Sequence, residues 1–257
     1  MGRPSINRSV EVSRGRFVHR SPSLTIVALL SQSSWYMGLT ENVQRQVLAC
    51  AEERGVSAGA TLSRHGDTAI HWHGVLEGVL KWSVTAKNGR SVTMGGLSVG
   101  SWFGEGSLLH GRPVQAEVVA LRHSRVAMVP KEVFDWLYES QPSFNRFLLH
   151  QLNERLHWFM GDFAAHRLYA AETVVARALV GLQHPFLHPG AEPHIEISQQ
   201  EIANLAGLSR QRCNVALRRM KTLGLVRVEY GGITLIDAPG LSRLAVDEGA
   251  EPFIPRR

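Results

Sequence analysis

The chain has 257 residues, with 28 Lys and Arg against 22 Asp and Glu, a formal charge of +6 and two cysteines. That length supports a full hydrophobic core, as one large domain or two ordinary ones, without covalent staples. Cys50 and Cys213 cannot supply a disulfide framework or a four-cysteine metal site, and no stretch approaches the ~18 apolar residues of a membrane span, so the expected compartment is a reducing cytoplasm with no membrane partner.

Residues 1–20 hold five Arg and one Glu with little apolar periodicity, which reads as a disordered basic tail reaching to about residue 28. The pattern then turns partly helical over 29–53. Leu39, Val43 and Val47 recur every four residues, and Thr40 stands where it can cap a helix beginning at Glu41. Twelve glycines follow between positions 55 and 111, separating short runs of strand character such as 79–85 and 91–94. Asn88 and Gly89, between two such runs, form the strongest short hairpin signal. Residues 55–130 are therefore expected to be all-β, as a small antiparallel barrel or sandwich.

After Pro130 the spacing predicts a short helix over 131–139, then a long one over 142–167 with Ser143 as its cap. Leu148, Leu152, Leu156, Phe159 and Phe163 make one apolar stripe along the long helix. A parallel coiled coil with a second copy of the chain is a natural way to bury it. A helix over 169–182 and a loop over 183–193 come next. Residues 197–217 have helix-turn-helix form. Ser198 with Glu201 three residues on makes a capping box, Gly207 suits a left-handed turn, and Ser209 caps the second helix. From 209 to 227 there are six basic residues and no acidic one, so most of the charge excess sits here and on the tail. Residues 226–229 and 233–235, joined through Tyr230, Gly231 and Gly232, read as a hairpin wing. Such a second helix presents its N-terminal residues to base edges in the major groove, and nearby cations neutralise phosphates.

This order of parts resembles the Crp–Fnr superfamily. The specific pieces are Leu76-Glu77-Gly78, Phe103-Gly104-Glu105, the run 198–203 (SQQEIA), Gly207-Leu208-Ser209-Arg210 and Pro142 opening the long helix. The resemblance implies an α+β fold in which a cyclic-nucleotide-binding-type, jelly-roll-like β-roll (29–141) leads through a dimerisation helix (142–167) to a winged helix-turn-helix (168–246), with tails at 1–28 and 247–257. It implies a homodimeric transcription regulator, not an enzyme, on an inverted-repeat site in double-stranded DNA, with RNA polymerase as a further partner. Base reading falls to Arg210, Gln211, Asn214 and Val215, and phosphate contact to Ser198, Ser209, Arg212, Arg218 and Lys221. The dimer interface falls to Leu148, Leu152, Leu156, Phe159 and Phe163.

The departures from the family pattern point to a different effector. Cyclic-nucleotide-binding members place an Arg about ten residues after Phe-Gly-Glu to pair with the phosphate, whereas Val114 stands there here. A buried phosphate without its cation costs roughly several kcal/mol. Arg112, two residues away on the same strand face, could substitute only with a shifted ligand. Phe159 and Met160 occupy the positions where the cAMP-bound members present Thr and Ser to adenine. The expected pocket is thus Gly104, Glu105, Arg112, Val114, Phe159 and Met160, with cAMP disfavoured. The tail has no cysteine for an iron–sulfur cluster. His71, His73 or His110 could ligate haem, but a lone histidine is more often structural. Gln211, Asn214 and Val215 differ from the base readers of both well-known branches, so a distinct operator is expected. Cys213, inside the recognition helix, reads as a small buried hydrophobe or as a thiol whose oxidation would disturb docking.

The sequence also admits two rival readings. One keeps the winged helix but leaves the β-roll without a ligand, activity being set by protein level or a partner. The other is a metal-dependent cupin-type enzyme, because residues 66–77 (GDTAIHWHGVLE) resemble its first motif, with His71, His73 and Glu77 as ligands. The histidine spacing is one residue short and the second cupin motif is absent, which leaves no metal or catalytic residue assigned.

Overall fold

The computed structural model describes residues 23–246. The tail read over 1–28 lies outside the described residues up to position 22, and the C-terminal tail lies wholly outside them. Helix α1 (Ile26–Gln32) opens inside the span assigned to the tail, where the Thr25 hydroxyl accepts from the Ala28 amide. The Leu24 amide also donates to the Leu76 carbonyl, which ties this segment to the β-roll. Helices α2 (Ser34–Met37) and α3 (Glu41–Cys50) follow. Thr40 is the N-cap of α3, as its position predicts, but its side chain makes no capping bond.

Strands β1 (Glu52–Val56), β2 (Thr61–Ser63), β3 (His71–Glu77), β4 (Leu80–Thr85), β5 (Ser91–Leu97), β6 (Trp102–Phe103), β7 (Glu117–Ala120) and β8 (Ser124–Pro130) build two antiparallel four-stranded sheets, ordered β1-β8-β3-β6 and β2-β7-β4-β5. The β4–β5 hairpin turns at Asn88 and Gly89, with Gly89 at positive φ and the Asn88 side chain accepting from the Arg90 amide. Gly78 requires its glycine. Its φ is +92°, and a Cβ there would lie 2.2 Å from the Ser124 hydroxyl. The all-β expectation for 55–130 fails at one point: α4 (Glu105–His110) interrupts it between left-handed Gly104 and Gly111. Six residues between two glycines are too few to show a helical period.

One core of the roll is aromatic. Trp72 stacks on Trp102 with centroids 4.3 Å apart, and Trp35, Phe134 and Phe144 meet Trp72 at 5.1 to 5.7 Å. Helix α5 (Lys131–Ser140) closes this core. Helix α6 (Pro142–Leu168) then runs 27 residues, roughly 40 Å at about 1.5 Å per residue. Gln141 is its N-cap and Pro142 its first residue, so Ser143 is not the cap; proline at the first helical position gives up only an N–H that would be unpaired anyway.

The dimer stripe needs one correction. Leu148 is 2% exposed and belongs to the aromatic core of its own domain, whereas Leu149 is 69% exposed. The exposed apolar series is Leu149, Leu152, Leu156, Phe159 and Phe163, spaced 3, 4, 3, 4. That is a heptad spacing, reached by replacing Leu148 with Leu149 at the start of the expected stripe.

The winged helix comprises α7 (Ala171–Gly181), β9 (His194–Ile195), α8 (Gln199–Leu205), α9 (Arg210–Thr222), β10 (Val226–Glu229), β11 (Gly232–Leu235) and α10 (Ala238–Ala245). Strand β9 joins the wing as a third strand. This domain is docked firmly on the roll. Val79 of the roll is buried in the winged-helix core, with Leu121 packed beside it. Lys81 pairs with Glu201 at 3.1 Å, and Arg122 pairs with Glu196. The Ser98 hydroxyl donates to the Leu182 carbonyl at 2.8 Å, and Ser101 Oγ lies 2.5 Å from Nδ1 of His188. Among the described residues, no helix is long and apolar enough to cross a membrane.

Burial, with the charges of Arg155 and His184 nearby, holds His188 neutral and moves its pKa from 6.5 down to about 3. The unfolded chain takes up a proton below about pH 6.5 that the folded chain refuses, so this contribution is full above pH 6.5 and is lost as pH falls from there towards 3. We expect urea unfolding to show stability falling by up to roughly 1.4 kcal/mol per pH unit from this one group. The change His188→Asn, which keeps an acceptor for Ser101, should flatten the curve. An unchanged slope in that variant would assign the acid sensitivity elsewhere.

Candidate nucleic-acid interface and cavity

The helix-turn-helix forms as its local signals require. Ser198 Oγ accepts from the Glu201 amide at 3.1 Å, and Ser209 Oγ accepts from the Arg212 amide at 3.3 Å. The capping box is only half made, because the Glu201 carboxylate turns to Lys81 and Asn204. Ala203 is fully buried beneath the crossing helix, and Gly207 takes the turn at φ +56°.

Helix α9 is divided into two faces by its 3.6-residue period. Cys213, Ala216, Leu217 and Met220 are buried in the winged-helix core. Gln211, Val215 and Arg218 face solvent at the opposite spacing, with Arg210 and Arg212 exposed at the N-terminal end. Val215 is 50% exposed, an apolar side chain with no cover of its own. Asn214 differs from its neighbours: it is half-buried, and its amide oxygen is buried without a partner. Ser198, Ser209 and Lys221 are exposed. The basic residues are not equivalent. Arg219 is paired with Glu172 at 3.1 Å and Arg227 with Glu229 at 2.7 Å, whereas among the described residues Arg212, Arg218 and Lys221 have no carboxylate partner. Arg212 and Lys221, nine residues apart, lie about half a turn from each other at the two edges of the exposed face, with Arg218 between them, an arrangement that suits phosphates on either side of a groove. Tyr230 stands fully exposed at the wing tip. Burial pushes the Cys213 thiol up to about 11, which makes it a poor nucleophile and favours its reading as a small core residue.

A cavity of about 1020 Å³ lies between the roll, α6 and the start of the winged helix. Gly104, Glu105, Arg112, Val114 and Phe159 line it, and so do Leu152 and Leu156. Met160 does not. It points away from the cavity and is half exposed, because adjacent helical residues diverge by about 100°.

Glu105 is 1% exposed and is held by Arg155 of α6, whose Nη1 donates to its Oε1 at 2.5 Å; Arg155 Nη2 donates to the Trp102 carbonyl. Sequence reasoning missed Arg155. Its signal in the sequence was one charge of the adjacent pair Glu154–Arg155 beside the apolar stripe, 50 residues from its partner. Arg155 also lies over the Trp82 ring at 5.9 Å. His73 stacks on Phe103 at 5.1 Å, and burial, with His71 and Arg54 nearby, holds it neutral at a pKa of about 3. Glu77, the third ligand of the cupin reading, instead accepts from Arg125 at 3.4 Å, and among the described residues no cluster of three metal-ligating side chains forms.

Comparison with known proteins agrees with this architecture. The cyclic nucleotide-binding domain family matches residues 53–141, and the Crp-like helix-turn-helix domain family matches residues 175–244. The transcriptional regulatory protein btr of Bordetella pertussis is 26% identical over 220 residues, covering 82% of this chain and 89% of that protein. The cyclic AMP receptor protein of Thermus thermophilus is 26% identical over 213 residues, covering 83% and 97%. The fold is shared with the solved structure of FixK2 from Bradyrhizobium japonicum at a TM-score of 0.65 and 16% identity, covering 77% of this chain and 98% of that one.

Proposed function

Because the chain belongs to the Crp–Fnr superfamily of transcription regulators, we propose that it acts as a homodimer on an inverted-repeat operator and is gated by an effector other than cAMP. The observation that carries the DNA-binding part is α9. Its exposed face sets Arg210, Gln211 and Val215 beside the carboxylate-free cations Arg212, Arg218 and Lys221. Arg suits a bidentate contact to guanine, Gln pairs with adenine, and Val215 can touch a thymine methyl. Two such helices in a dimer sit about one helical turn, roughly 34 Å, apart. The heptad seam of α6 supports the dimer, and Val114 in the cavity wall supports an effector without a buried phosphate. RNA polymerase in the cytoplasm is the expected further partner.

Operator selection from random DNA on purified protein tests this reading, and Arg210→Ala sharpens it. The variant should lose about 1–3 kcal/mol on the selected site and relax one base position per half-site. Equal weakening on all sequences would demote Arg210 to a phosphate contact. Selection that recovers no two-fold site would overturn the proposal itself.

A further inference from the structure

We propose that the cavity takes an uncharged, largely aromatic molecule that offers one hydrogen-bond donor to the free oxygen of Glu105. This rests on the reading of the cavity as the effector site and names the chemical class of its occupant. Three observations point there.

The first is an unpartnered atom. Glu105 is buried, one of its oxygens is taken by Arg155, and among the described residues Oε2 has no partner. Buried polar atoms are almost always satisfied, and this one belongs to a residue that lines an open cavity. A hydroxyl or N–H of a bound molecule completes it.

The second is charge. Arg155 already compensates Glu105, and Val114 stands in the loop that leads into β7, not on a strand. Two histidines of the lining, His73, which is partly buried, and His188, which is buried, are held neutral by their surroundings. Arg54 and Arg112 also line the cavity, but both are exposed and keep their water. An anion would meet no desolvated cation that is free to pair with it.

The third is shape and polarity. Trp82 and Phe103 line it from the roll, and Leu152, Leu156 and Phe159 line it from α6 as an apolar roof. Aromatic walls with one or two fixed polar groups are how proteins hold flat, neutral ligands. The roof residues also belong to the heptad seam, so an occupant touches the surface through which two copies meet.

A matched pair of fluorescent probes tests the class directly. N-phenyl-1-naphthylamine is neutral and carries one N–H; 8-anilino-1-naphthalenesulfonate has the same ring system with an added anion. Titrated into the full chain, the neutral probe should saturate at one per chain and bind at least tenfold tighter than the sulfonate. In Val114→Arg the preference should reverse, which places the probe in this cavity. If the sulfonate or cAMP binds the wild-type chain more tightly, or the neutral probe does not bind, the proposal is overturned, whether or not the variant folds. Operator binding is measured alongside. A neutral probe that saturates the cavity without changing operator affinity leaves the ligand class standing and removes gating by that occupant.

Discussion

The double change Leu149→Glu with Phe163→Glu is expected to yield a folded monomer whose operator affinity falls about a hundredfold or more. Both side chains lie in the 3-4-3-4 series on α6, are more than half exposed, and do not line the cavity described above. In a parallel pair they would face their own copies, so the variant would bring four carboxylates into an apolar seam, where unpaired charge is strongly disfavoured. A monomer reaches one half-site and loses most of the margin that separates specific from non-specific binding. Sedimentation should show the change in mass, and circular dichroism should show unchanged helix content. Leu148→Ala is the complementary test. It should cost about 2–5 kcal/mol of stability, as a buried leucine does, while leaving the folded protein dimeric. If Leu148→Ala dissociates the protein and the double variant does not, the seam is misassigned.

Trp72→Ala is expected to be the most destabilising single change in the roll. Trp72 is fully buried and meets Trp35, Trp102, Phe134 and Phe144, so its loss empties the centre of the aromatic core. Large-to-small changes at such sites cost about 3–5 kcal/mol, which lowers the melting temperature of a chain this size by about 10 °C. Trp72→Phe should recover much of that, because it keeps a ring in place and removes an indole N–H that has no partner. A melting temperature within about 2 °C of wild type for the alanine variant would show that the core closes over the gap.

What could be read from the chain beforehand follows the range over which each signal acts. Caps, turns and the hairpin are local, and Ser198, Ser209, Gly207 and the Asn88–Gly89 pair sit where residue chemistry puts them. The faces of α9 follow from its period alone. The misses are long-range or marginal. Leu148 and Leu149 are both leucines, and only the packing of α6 against the roll decides which one is covered. The choice between a period of 3.6 and one of 3.5 depends on a neighbour the sequence does not name. Glu105 with Arg155, and Lys81 with Glu201, join residues 50 and 120 positions apart. Glu201 shows how a tertiary partner displaces a local one: its carboxylate leaves the capping box for a lysine on another domain. Position 114 was informative for the opposite reason, because a missing charge is visible in a single residue.

The burial of Val79 inside the winged-helix core bears on modularity. A helix-turn-helix lifted out of this protein as a separate fragment would leave behind part of its own interior, together with the lysine that holds Glu201. Exchanging DNA-binding domains between relatives is a common way to re-target regulators. Here a faithful graft would carry three short pieces of the roll with it: the turn at residues 78–81, the segment 96–101 that seats Leu182 and His188, and Leu121 with Arg122. The functional unit of heredity in this fold is therefore not cut at a linker. Its border runs through the side chains of a β-turn.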